Sequence, residues 1–155
     1  KIRGATMQAD SADQFVVAYY FLAYAIPTLA VVGQLLGGAW NYAAFFFTFG
    51  IIPVLDLILG TDDVNPNKAA TAELKKQFKW KIPLWLWPIQ QLVLLLWAFH
   101  VVSTQQLTTF EYVGFVLAVG LNGGMGINVS HEMIHKHYNV ETLLSELSLM
   151  TVGYM

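Results

Sequence analysis

Four apolar runs, at 15–36, 42–59, 83–102 and 110–129, constrain this chain more than any other feature. Each is close to the roughly 20 residues that a helix needs to cross the hydrocarbon core of a bilayer. None shows the period-2 alternation of a barrel strand, and a lone helix satisfies its own backbone hydrogen bonds in lipid. Composition agrees: 56% of the residues are hydrophobic and only 12% charged, where a soluble domain carries about 25% charge. The expected fold is therefore all-α, a polytopic transmembrane helical bundle. It has four complete spans and the start of a fifth helix at 143–155, read as running uncapped to the last residue. The whole of 1–155 reads as a single transmembrane domain, incomplete, a fragment of a larger one.

The basic residues orient the bundle. All 8 Lys and Arg lie before the first run, between the second and third, or after the fourth. With four crossings those segments share one side, which the positive-inside rule makes the cytoplasm. A net charge of −2 offers no bulk basic field for nucleic acid. The absence of cysteine excludes disulfides, thiolate-bound zinc, iron–sulfur clusters and a cysteine nucleophile. Pro27, Pro53 and Pro88 predict kinks within spans. Gly33–Gly37 and Gly120–Gly124 are GxxxG pairs, read as helix-packing contacts. Asn122 and Asn128 are polar groups at membrane depth and are expected to face the bundle. Trp85, Trp87 and Tyr112 read as interfacial aromatics or channel walls.

Chemistry concentrates at the end of the fourth run, in Asn128-Val-Ser-His131-Glu132-Met-Ile-His135-Lys136-His137. On a helix, His131 and His135 are neighbours on one face and can point two imidazoles at one metal. Imidazole suits iron, zinc, copper and nickel. Glu132 lies about 100° round the helix from His131, placed to act as a base or to hydrogen-bond a ligand. Asn128, one turn earlier, can hold a ligand from behind. Two imidazoles bind a metal weakly by themselves, so further ligands are required. His100 sits near the other end of the third run, roughly a bilayer thickness of ~30 Å away, and is not expected to join them. HExxH also marks zinc proteases, in which the Glu is the base; an intramembrane zinc metalloprotease is the alternative reading at this point.

Three stretches carry a resemblance. They are Pro53-Val-Leu-Asp56 with the loop from Gly60 to Asn67, the His131-Glu132-Met-Ile-His135-Lys136 box, and Val152-Gly153-Tyr154. In their order and spacing the chain resembles the integral-membrane non-haem di-iron alkane hydroxylases (alkane 1-monooxygenases). The resemblance implies six transmembrane helices and two irons bound by histidine boxes at the cytoplasmic side of the inner membrane. It implies terminal hydroxylation of medium- to long-chain n-alkanes with O₂, the electrons coming from rubredoxin and rubredoxin reductase. His131 and His135 carry over as iron ligands, and Glu132 as a residue of the box. The remaining ligands would lie past Met155, so the fragment by itself is expected to be inactive. In the family a residue eight before the span-two aspartate limits substrate length. The matching position here is Thr48, beside Phe47, and both are assigned to the substrate channel. Asp56 is expected to hydrogen-bond a ligating imidazole, or else simply to end its span at the headgroups. Lys75, Lys76, Lys79 and Lys81 read as an interface anchor, or as a docking patch for an acidic electron carrier.

Overall fold

The computed structural model describes residues 21–60, 81–134 and 139–154. Several expectations therefore fall outside the described residues: those on His135, Lys136 and His137, on the 61–67 loop, and on the lysines from 68 to 79.

The described residues are helical, with no strand among them. Helix α1 is Ala25–Leu36 and is followed by a 3₁₀ turn, Gly38–Tyr42. Next come α2, Ala43–Phe46, a π-helical turn, Phe47–Ile51, and α3, Ile52–Leu59. Helix α4 is Ile82–Thr104, α5 is Thr109–Ile134 and α6 is Asn139–Thr151. Three segments are long and apolar enough to cross a membrane: Gly38–Ile58, Ile82–Thr104 and Thr109–Ile134. Helix α1 has only 12 residues, because a turn at Ala23–Tyr24 separates it from the helical pair Phe21–Leu22. Pro27 sits in its first turn, where a missing N–H costs nothing.

The second segment shows how one proline shapes a span. Pro53 has no N–H to offer the carbonyl four residues back, and its ring crowds that carbonyl. The turn immediately before it is the π turn Phe47–Ile51, the wider form in which such a mismatch is absorbed. Pro88, by contrast, lies inside a continuous α4.

Helix α5 is the hub, packing against α1, the 3₁₀ turn, α2, α4 and α6. The core between them is built from small and branched side chains, Ile26, Ala30, Ala44, Leu94 and Ala118. Alanines at these crossings let backbones approach, which is how helices associate where lipid removes the hydrophobic drive. A second cluster of Ala98, Val101 and Phe115 adds the edge-on pair Trp97–Phe115, with ring centroids 5.6 Å apart. Large apolar side chains cover the outside, Leu57 reaching 85% exposure. Water does not tolerate such a surface but lipid does.

Two ends of α5 are fastened differently. At its start Thr108 and Glu111 form a capping box. The Glu111 N–H donates to the Thr108 hydroxyl at 3.3 Å, and the Thr108 N–H donates back to the carboxylate at 3.0 Å. The other carboxylate oxygen accepts the N–H of Gly38 at 2.8 Å, tying this turn to the one between α1 and α2. Near its far end α5 meets α6, which is turned inside out. Glu141, Ser145 and Ser148 are buried, while Val140, Leu143 and Met150 face outward. Where the sequence reads as an uncapped helix running to residue 155, the structure stops α6 at Thr151. The N–H of Gly153 donates to Met150 O and that of Tyr154 to Leu149 O, the paired bonds of a Schellman cap. Gly153 has φ +70°, a conformation open to glycine at no steric cost.

The glycines divide unexpectedly. Gly33 is a close contact, but with the 3₁₀ turn that follows its own helix and not with another helix: a Cβ there would collide with Trp40 O. Gly120 and Gly124 face open space, so they are not packing contacts. The close approaches on this helix fall at Gly114 against the Tyr42 ring, at Gly123 against Val152 and, tightest, at Gly126, where a Cβ would overlap the Gln91 amide.

Candidate functional site

The α4–α5–α6 junction is held by polar groups that lipid cannot satisfy, and most of them find a partner inside the protein. The Gln91 side-chain amide donates to Ser148 O at 3.1 Å and to the Thr151 hydroxyl, while its carbonyl accepts from the Ser148 hydroxyl at 2.9 Å. Ser148 also reaches Gly126 O at 3.3 Å, and Ser130 donates to the same carbonyl at 2.7 Å. The Ser145 hydroxyl donates to Ser130 O at 3.0 Å, one residue before His131. Asn122 accepts from the Gln90 amide at 3.1 Å and is buried as expected. Asn128 is instead exposed.

At the membrane-boundary end of the same junction Glu141 is 1% exposed. One of its oxygens accepts from Trp85 Nε1 at 3.2 Å and lies 3.5 Å from Lys81 Nζ. Its second oxygen is buried and has no hydrogen-bond partner among the described residues. Trp85 is thus a hydrogen-bond donor. Trp87 is a fully buried core residue edge-on to Tyr24, with ring centroids 5.1 Å apart. Neither lines the cavities described below. Tyr112 is exposed.

His131 lies in the last turn of α5 and is exposed. Among the described residues no hydrogen bond occupies either ring nitrogen, and the ring meets Tyr154 edge-on with centroids 6.1 Å apart. Glu132 follows it, also exposed. Gly120, Gly124, Ile127 and His131 fall on one stripe of α5, by their spacing of three and four residues. The first three line a cavity of about 430 Å³ with Gln91, Leu95, Val119 and Val152. The stripe from Gly120 to His131 is about 16 Å long at 1.5 Å per residue. A second cavity of about 470 Å³ lies between α1 and α4, lined by Pro27, Val31, Gln90, Val93 and Trp97 among others.

The other residues singled out in the sequence lie elsewhere. Thr48 is half-buried in the π turn and its hydroxyl donates back to Ala44 O at 2.8 Å. Phe47 packs on the main core cluster. Neither lines the two cavities. Asp56 is exposed on α3 and no hydrogen bond joins it to His131. His100 is exposed in the last turns of α4, and the 22 residues from Thr109 to His131 put about 33 Å of helix between that end and the histidine.

No group of three metal-ligating side chains occurs among the described residues. At the end of α5 they offer a metal one imidazole, that of His131, exposed and with no hydrogen bond from another described residue. That suits the imidazole share of an iron site and leaves most of the ligand set to be supplied by other parts of the protein. Glu141, Gln91 and Tyr154 were not legible as site neighbours. The signals were the Glu141, Ser145, Ser148 spacing, a polar stripe on α6, and, for Tyr154, its place in the Val152-Gly153-Tyr154 stretch that carries the resemblance.

No protein-family model matches the chain. It is 30% identical over 127 residues to alkane 1-monooxygenase 1 of Alcanivorax borkumensis, a match covering 81% of this chain and 31% of that protein. It is 34% identical over 122 residues to alkane 1-monooxygenase 2 of Pseudomonas aeruginosa, covering 75% of this chain and 32% of that protein. With the alkane 1-monooxygenase of Pseudomonas putida the identity is 26% over 162 residues, covering 99% and 40%. All three bear the name alkane 1-monooxygenase, and the chain belongs to the alkane hydroxylase family. It spans about a third of the length of the curated relatives it matches.

Proposed function

We propose that this chain forms part of a membrane hydroxylase that converts medium- to long-chain n-alkanes to 1-alkanols. The overall reaction takes alkane, O₂, two electrons and two protons to 1-alkanol and water. Rubredoxin and its reductase deliver the electrons on the cytoplasmic face of the inner membrane. His131 and His135 are two of the ligands to a pair of irons, and the other ligands come from the rest of the full-length protein. Bound iron supplies the redox chemistry that O₂ and a terminal C–H bond require, which zinc lacks.

The observation that carries this reading is the placement of His131 at the end of an apolar stripe, in a chain whose relatives are named alkane 1-monooxygenases. An alkane offers no polar handle, so it is held by shape and by exclusion of water. The groove beside Gly120 and Gly124 offers both, and an alkyl chain lying along it would end at the imidazole. Glu132 sets a carboxylate beside the ligand, able to hold a proton or a hydrogen bond.

The test uses the full-length protein in lipid nanodiscs, assayed for iron and for 1-alkanol. The expected results are about two irons per chain, activity lost on chelation and restored by Fe²⁺ but not by Zn²⁺, and loss of iron and product in His131→Ala. A protein that holds one zinc and no iron, or a His131→Ala variant with full iron and full turnover, overturns the proposal.

A further inference from the structure

An imidazole that binds a metal has to be held in one plane. The usual device is a hydrogen bond from its other ring nitrogen to a carboxylate or a carbonyl. No described residue offers His131 such a bond. What touches the ring is Tyr154, edge-on, with centroids 6.1 Å apart and planes at 72°. That separation lies inside the range in which aromatic rings attract.

Tyr154 is where it is because of how α6 ends. Gly153, at φ +70°, reverses the chain after Val152, and the bond from the Tyr154 N–H to Leu149 O at 3.0 Å locks the reversal. Helix α6 is itself fixed to α5 beside the histidine through the Ser145 hydroxyl on Ser130 O. It is fixed to α4 through the Gln91–Ser148 pair. The tyrosine ring is therefore presented to His131 from a braced element. From this geometry we infer that Tyr154 is a positioning residue for His131, its ring setting the imidazole plane and the Gly153 turn setting the ring.

The inference rests on His131 being a metal ligand, and the experiment separates the two. Full-length protein carrying His131→Ala, Tyr154→Leu, Tyr154→Phe or Gly153→Ala is reconstituted with ⁵⁷Fe, and its iron content and Mössbauer spectrum are measured. Circular dichroism and thermal unfolding serve as folding controls. Tyr154→Leu should fold normally, bind iron about tenfold more weakly, within the range for residues that orient ligands, and show an altered spectrum. Tyr154→Phe keeps the ring and should match wild type in both. Gly153→Ala should resemble Tyr154→Leu, and if it fails to fold, the two tyrosine variants decide the matter. Wild-type iron and spectrum in Tyr154→Leu, with iron lost in His131→Ala, overturns the inference and leaves the metal reading standing. Equal loss in Tyr154→Phe and Tyr154→Leu also overturns it, since the hydroxyl rather than the ring would then matter. Full iron in His131→Ala removes the metal reading and the inference together.

Discussion

Glu141 shows what one charge in a dry place demands. With 1% exposure it relies on Lys81 and Trp85, and a buried ion pair that loses one partner leaves an uncompensated charge. Lys81→Met should lower the unfolding free energy by about 3 kcal/mol, whereas Lys81→Met combined with Glu141→Leu should recover most of that loss. Thermal unfolding of both variants in detergent tests this, and equal losses would show that the pair is not the cause. Glycine makes the same point through space. Gly126→Ala pushes a methyl into the Gln91 amide and should cost about 1–3 kcal/mol, as overpacking does. Gly124→Ala, facing open space, should stay within about 0.5 kcal/mol of wild type.

At the scale of the element, the π turn before Pro53 offsets α3 from α2 by one extra residue. Pro53→Ala restores the missing N–H, so the turn should relax to α-helix and rotate α3 by about 100°. A spin label at Asp56 would report this as a change in its accessibility to lipid-soluble and water-soluble quenchers. An unchanged accessibility would mean that the turn has another origin. Legibility in the sequence divides along the same line. The apolar runs at 42–59, 83–102 and 110–129, the break before Pro53 and the histidine at the end of α5 follow from local pattern and are readable, whereas Pro27 and Pro88 interrupt no helix. The pairings of Gln91 with Ser148 and of Glu141 with Lys81 span 57 and 60 residues of sequence and leave no local trace. The GxxxG rule located glycines but not the helix that each one faces, so it selected Gly120 and Gly124 where the tight contacts of α5 are at Gly114, Gly123 and Gly126. The stop of α6 was readable in principle, since a glycine after a helical run is a common C-terminal signal. The apolar character of the last residues masked it.

For the whole molecule, substrate length is the property that two structural sites can govern. If alkyl chains lie along the α5 stripe, Gly124→Leu in the full-length enzyme should shorten the preferred alkane, with product yield falling most for the longest substrates. Thr48→Trp tests the channel expected at the π turn. A length shift with Thr48→Trp alone would place the chain there and not on α5. Chromatography of the alcohols from a mixture of alkanes reads both variants in one experiment. Assembly follows from the inverted face of α6. At 13 residues it is about 20 Å long, too short to traverse a ~30 Å hydrocarbon layer unaided. With Glu141, Ser145 and Ser148 turned inward and Glu146 on its outer face, it has no route into lipid except on the flank of helices already inserted. Biogenesis of the metal site is thus bound to an order of events, in which α4 and α5 must meet before the tyrosine that braces the histidine can arrive.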